Sequence, residues 1–211
     1  MNDSPREFWN NKYSAFLANH SRQNTTIAAD FLAAIRNTPI SRALWDSPRV
    51  VEFGCGTGEL SHALHNHYGC AVTGVDISVA AIAYARTNYK GCRYMYGDIQ
   101  RKEQPHFPPR VFLTISSNTL EHFHDPFAIL DNMLAIAPLA ILIVPFEDES
   151  VAPDGCDGHG SHVYRFTDGS LARYNILHEL KFRTVGWAVG TNPLQQVTLL
   201  RHKEPHVNFQ S

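Results

Sequence analysis

Three glycines, Gly54, Gly56 and Gly58, alternate with Cys55 and Thr57 directly behind the apolar run "VVEF". Lacking side chains, they let the main chain turn sharply and bring its N–H groups close against a ligand. A dinucleotide fingerprint would place its third glycine at position 59. Glu59 stands there, and the third glycine comes one residue earlier, giving "GCGTG". Such a turn permits close backbone approach without presenting a helix N-terminus to a pyrophosphate. Glu52, the acid in the run before the turn, can accept a hydrogen bond from a cationic amine. Together these residues call for a ligand with a nucleoside, a charged amino-acid end and no phosphate.

The elements that must position these residues alternate along the chain. "SPREFWNNKYSAFLANH" and "NTTIAADFLAAIRN" read as amphipathic helices, the first with Ser4 as cap and Pro5 at its first position, the second closed by Pro39. "RVVEF" is a buried strand, and "ELSHALHNHY" the helix after it. "CAVTGVD" is a second strand, and "SVAAIAYARTNY" a helix capped by Ser78. "CRYMYGD" and "RVFLTISS" are strands three and four, "DPFAILDNMLAIA" is a helix, and "PLAILIVPF" is a fifth strand, apolar enough to be covered on both faces. "TDGSLARYNILHEL" has helical spacing, and "FRTVGWAV" and "QVTLLRH" are strands joined by the turn "GTNP". The pattern predicts an open, mostly parallel α/β sheet with an antiparallel edge. In such a sheet the glycine turn lies at the carboxyl end of the first strand, where ligands bind.

The bulk properties set limits. The 211 residues suit one domain, and 44% hydrophobic with 18% charged residues is ordinary globular composition. A net charge of -2 leaves no footprint for nucleic acid or an anionic membrane. No apolar run approaches a membrane span, and "MNDSPREFWNNKY" lacks the regions of a signal peptide. Cys55, Cys70, Cys92 and Cys156 show no CxxC spacing and read as free thiols, which points to the cytoplasm.

"VVEFGCGTG" resembles motif I of the class I S-adenosylmethionine-dependent methyltransferases, and further segments follow in the family's order over residues 50 to 200. "VTGVDIS" is similar to the second strand, whose terminal acid, here Asp76 followed by Ile77, holds the ribose hydroxyls. "MYGDIQ" looks like the segment in which an acid, Asp98, meets the adenine amine and the next residue, Ile99, flanks the ring. "SSNTLEHFHDP", with Ser117 and Asn118, resembles the stretch after strand four that borders the methyl group. "GSHVYRFTDGSLARY" resembles the stretch after strand five in the small-molecule branch. The resemblance implies a Rossmann-like, seven-stranded α/β sheet with helices on both faces and a C-terminal antiparallel hairpin. It implies S-adenosyl-L-methionine as cofactor, bound by Glu52, Gly54, Cys55, Gly56, Gly58, Asp76, Ile77, Asp98, Ile99, Ser117 and Asn118. The single domain, 1–211, then divides into a helical cap (1–48), a core (49–202) and a lid loop (146–166). Trp9 and Tyr13 are candidate lid aromatics or simple packing.

Acceptor chemistry is narrowed by what is missing. No Asn/Asp-Pro-Pro-Tyr tetrad and no Pro-Cys follows strand four, so a hydroxyl or amine of a small metabolite is expected, not nucleic acid. If the acceptor must lose a proton, histidine suits the task. His162, in the lid loop, is the first candidate and His122 the second, with His124 beside it. His62, His65 and His67 read as a solvated helix face, and Cys156, Asp157, His159 and His162 as a polar lid. A quinone-type subgroup holds a divalent ion with Glu-x-x-Glu-His after strand four. Here that run is Asn118, Thr119, Leu120, Glu121, His122, so no metal is expected. A cofactor-binding pseudoenzyme that serves as an interaction subunit is the alternative from another class.

Overall fold

β1 (Arg49–Phe53) is buried on both faces from Val50 to Phe53, and the strand accordingly lies inside a seven-stranded sheet ordered β3-β2-β1-β4-β5-β7-β6. The computed structural model describes residues 4–18, 23–101, 107, 109–148, 162–184 and 194–203. β2 (Ala71–Asp76), β3 (Arg93–Tyr96), β4 (Leu113–Ser117) and β5 (Leu139–Pro145) run parallel to β1. β7 (Leu194–Arg201) lies antiparallel between β5 and β6 (Asn175–Arg183). The chain leaves β1 towards β2 and β3, then returns to place β4 on β1's other side. That reversal opens a crevice at the carboxyl ends of β1 and β4.

Two cores result, one on each face. Val51, Phe53, Leu142 and Val144 pack with α6 (Pro126–Ile136), through Ile129, Leu130 and Met133. Val50, Ile141 and Ile143 pack on the other face with Phe31 and Ile35, Ile40 and Leu44 of α3 (Pro39–Trp45), and Leu64 of α4 (Glu59–Tyr68). Alternating residues of β5 serve both layers, as a parallel strand covered on two sides requires. Helix ends follow local chemistry. The Ser78 side chain accepts from Ala81 N (3.2 Å) at the start of α5 (Val79–Asn88). Asp125 accepts from Phe127 N and Ala128 N ahead of α6.

Two predicted elements need correction. Pro39 does not merely close a helix: α2 (Gln23–Ala34) has already ended, and Pro39 occupies the first turn of α3, where its missing N–H costs nothing, behind the cap Thr38. The predicted helix over "TDGSLARYNILHEL" is instead a turn at 168–173 followed by β6. β6 pairs with β7 from Asn175↔Arg201 to Arg183↔Leu194, with a bulge between Ile176 and His178. Ladder pairing satisfies every β7 backbone group that β5 leaves over, and this outweighs the helical spacing of the segment. The predicted turn "GTNP" lies outside the described residues.

α1 (Pro5–Ala18) is different from the other helices, since none of its residues is buried. The Asn10 side chain accepts from Ala80 N at 3.0 Å, fixing it near the start of α5. α2 and α3 belong to the sheet's core, so α1, with Ile27 and Ala28 of α2, is the part of the N-terminal region that faces the crevice. No helix among the described residues is long and apolar enough to cross a membrane.

Candidate active site

Each strand that ends at the crevice delivers one group to it, and together with α1 they enclose a cleft of about 240 Å³. From β1 come Glu52 and the turn of Gly54, Cys55 and Gly56. Gly54 and Gly56 have φ of 71° and 50°, the left-handed region that glycine enters without strain. A Cβ on Gly54 would lie 2.3 Å from Thr119 Oγ1, and one on Gly56 2.4 Å from the Tyr13 hydroxyl. No other residue fits either place. Gly58 is not in the wall; it takes φ 90° as the N-cap of α4, and its carbonyl accepts from the Tyr94 hydroxyl.

Asp76 ends β2 with its carboxylate buried against the glycine turn. One oxygen accepts from Gly56 N and the other from Ser78 N, both at 2.8 Å. A carboxylate has about four acceptor sites, so lone pairs remain for a ligand's hydroxyls. Burial raises its pKa, and the backbone N–H groups of Ser78, Gly56 and Ile77 work against the rise. Glu52 is 2% exposed and accepts from the Ser61 hydroxyl. Burial pushes its pKa up to about 8 against that hydrogen bond, with Glu59 and Asp76 adding to the rise. Asp98 pairs with Arg101 at 3.5 Å, and Asp98, Ile77 and Ile99 all face the cleft. Ser117 and Asn118 follow β4 into the wall, and the buried Asn118 Oδ1 has no hydrogen-bond partner. This is an acceptor left for a ligand.

The roof comes from α1. Trp9, Lys12, Tyr13 and Phe16 line the cleft, with Trp9 against the His122 ring at 4.8 Å and the Lys12 ammonium 4.5 Å from the Trp9 ring. Trp9 and Tyr13 thus lie where lid aromatics would. Thr119, Lys12 and Gln100 are wall residues that the sequence reading did not single out. Lys12 carries no local motif, and only the docking of α1 brings it to the site.

At the far end of the cleft, one 3₁₀ turn, Leu120–His122, carries two titratable side chains. The Glu121 carbonyl accepts from Val163 N (2.8 Å) and Tyr164 N (3.0 Å), which ties the segment after β5 to this turn. His162 is thereby set against His122, their rings 4.9 Å apart. His122 lines the cleft; His162 does not. Nδ1 of His162 is hydrogen-bonded to the Asp148 carboxylate, and Nε2 stands 3.8 Å from Glu121 Oε1. Burial alone would lower His162, but the Asp148 hydrogen bond and the charges of Glu121 and Asp148 outweigh it and its pKa is raised. Burial lifts Glu121 to about 7, opposed chiefly by His162. Of the predicted lid loop 146–166, residues 149–161, with Cys156, Asp157 and His159, lie outside the described residues. The histidines of α4 go separate ways: His62 stacks on Tyr89 at 4.6 Å and His65 Nδ1 meets the Cys70 carbonyl at 3.0 Å.

Comparison with known proteins agrees with this geometry. The family described as "Methyltransferase domain" matches residues 50–137, from β1 to the end of α6. Trans-aconitate 2-methyltransferase of Escherichia coli (strain S88) is 29% identical over 147 residues, 69% of this chain and 53% of that protein. The enzyme of the same name from Enterobacter sp. (strain 638) is 27% identical over 170 residues, covering 76% of this chain and 64% of that one. The chain therefore spans about half the length of the first of these curated relatives. Among solved structures, a methyltransferase from Anabaena variabilis superposes with TM-score 0.68 at 13% identity, covering 96% of both chains. Magnesium protoporphyrin IX methyltransferase from Synechocystis, with bound SAH, gives 0.67 at 14% identity over 94% of this chain and 98% of that one. At these identities the structures speak for the fold.

Proposed function

We propose that the chain is a class I S-adenosylmethionine-dependent methyltransferase that transfers a methyl group to a small-molecule acceptor bound beneath α1, a reading supported by the methyltransferase-domain match over residues 50–137 and by the trans-aconitate 2-methyltransferase relatives. One observation carries the reading: the glycine turn and the Asp76 carboxylate meet in a cleft at the sheet's switch point. The residues there fit the family's cofactor. Asp76 has acceptor capacity for ribose hydroxyls, Glu52 faces the place for an ammonium, and Asp98 and Ile99 flank the adenine side. The unpartnered Asn118 Oδ1 offers a further acceptor.

S-adenosylmethionine supplies a sulfonium methyl that is already activated, which leaves the protein to align the acceptor and exclude water. The aromatic roof of Trp9, Tyr13 and Phe16 serves the second task. Among the described residues Lys12 is the one lysine or arginine in the wall, which favours an acceptor that carries an acidic group beside its hydroxyl or amine. The relatives are named for trans-aconitate, an acid, so a carboxylate oxygen as the acceptor atom is the second reading. His122 lines the cleft with His162 against it, at the end where the acceptor's proton must be lost. The free thiols Cys55, Cys70 and Cys92 support a place in the reducing cytoplasm.

The test is release of S-adenosylhomocysteine from S-adenosylmethionine with a panel of acidic phenols, amines, trans-aconitate and other polycarboxylates. Turnover is expected with at least one acidic small molecule. Tight cofactor binding with no release above the blank for any of them would favour the interaction-subunit reading instead.

A further inference from the structure

We propose that Glu121, His122 and His162 form a site for one divalent first-row transition-metal ion at the acceptor end of the cleft. The starting point is a buried carboxylate that accepts no hydrogen bond. Glu121 is 1% exposed, and neither of its carboxylate oxygens accepts a hydrogen bond. A buried carboxylate in that condition is costly unless a cation compensates it. Among the described residues two positive groups are within range, and neither donates a hydrogen bond to it. Lys12 feels the charge of Glu121 but makes no ion pair with it. His162 Nε2 stands 3.8 Å from Oε1, too far for a hydrogen bond.

The surrounding groups have the arrangement of a ligand set. One donor atom from each of Glu121, His122 and His162 lies within 4.8 Å of the others. Ligands at about 2.0–2.2 Å around a tetrahedral ion stand roughly 3.4 Å apart, so small side-chain rotations complete the shell. Asp148 holds His162 Nδ1, which fixes the tautomer and directs Nε2 inward, the usual carboxylate support behind a metal-bound histidine. Two imidazoles with one carboxylate suit zinc, manganese, cobalt or iron(II) better than magnesium, which prefers oxygen. Absence of an acid at Asn118 argued against a metal from sequence; His162, brought from beyond β5, supplies the third donor. Because His122 lines the cleft, an ion held there would be within reach of an acceptor bound in it. The function of the ion rests on the methyltransferase reading: it would bind an acceptor oxygen and lower its pKa, so that the proton passes to water before the methyl group is transferred.

The experiment uses tag-free, chelator-stripped protein, dialysed against Zn²⁺, Mn²⁺ or Mg²⁺ and assayed by elemental analysis. One equivalent of Zn²⁺ or Mn²⁺ is expected, with Mg²⁺ at least tenfold weaker. Glu121→Gln and His162→Gln should each weaken Zn²⁺ binding at least 100-fold, and Asp148→Asn by 10–100-fold, the usual effect of a supporting residue. Glu121→Gln also removes the buried charge, so this variant should be no less stable than the metal-free parent, yet should no longer gain thermal stability from Zn²⁺. S-adenosylhomocysteine affinity, measured on every variant, reports folding. Stoichiometric binding that survives both ligand substitutions, or no binding by the parent chain, overturns the site. Metal binding without cofactor binding would leave the site standing and remove the methyltransferase reading; cofactor binding without metal would do the reverse.

Discussion

Glu52 and Asp76 are both buried carboxylates with raised pKa values, yet their surroundings set them different tasks. Asp76 is fixed by two backbone N–H groups and offers its remaining lone pairs to hydroxyls. Asp76→Ala removes charge-assisted hydrogen bonds worth about 1.5–3 kcal/mol each, so cofactor affinity by calorimetry should fall at least roughly tenfold. An unchanged affinity would refute the ribose role. Glu52, held up at about 8, carries a proton at neutral pH in the free chain. An ammonium favours its ionised form, so binding expels that proton. Affinity should therefore rise about tenfold per unit from pH 6 towards 8, then level off as the ligand's own amine titrates. Calorimetry in buffers of differing ionisation heat reads the released proton, and Glu52→Gln should flatten the profile. The same linkage acts on the fold. Since the folded pKa lies above the unfolded one, the stability that Glu52 contributes in acid is lost as pH rises through about 8. These two acids were legible in the sequence because each lies at the carboxyl end of a buried strand. Glu121 stood in view as half of a pattern, but its isolation is set by neighbours more than twenty residues away. Lys12 and Asp148 had no pattern at all.

At the level of helices and strands, local chemistry was readable wherever it was self-contained. Ser78 was foreseen as a cap, and it caps. Ser78→Ala should cost about 1 kcal/mol, whereas Ser78→Gly should cost only a few tenths. In a chain this size the alanine change lowers Tm by roughly 2–4 °C; equal melting of the two variants would show that the cap is idle. β6 was misread as a helix because Leu171, Tyr174, Leu177 and Leu180 are spaced for one. β7 decides otherwise: a strand paired only on its β5 side would leave its other edge open. Pro39 was taken as a stop when Thr38 before it makes it a start. In both cases the deciding partner lies outside the window in which periodicity is read.

For the molecule as a whole, the alternation of strands and helices made the open sheet legible, but not which part of the N-terminal region would close over it. α2 and α3 are absorbed into the core, while α1 rests on the cleft by its rim contacts and buries no residue of its own. A ligand held between α1 and the strand ends should stabilise both. S-adenosylhomocysteine at one hundred times its Kd is expected to add about 2.7 kcal/mol, raising Tm by roughly 5–10 °C. Hydrogen exchange should slow in α1 as well as in the glycine turn. Protection limited to the turn would show that α1 is not a roof. One join in this architecture has a consequence for redesign. Val163 and Tyr164 are tied to the Glu121 carbonyl by main-chain hydrogen bonds, which take no account of side chains. Position 162 is therefore an interchangeable socket: its occupant can be exchanged for another donor, or for none, while the frame that sets it against His122 stays in place. Altered acceptor chemistry can thus arise by single substitutions there, without rebuilding the fold.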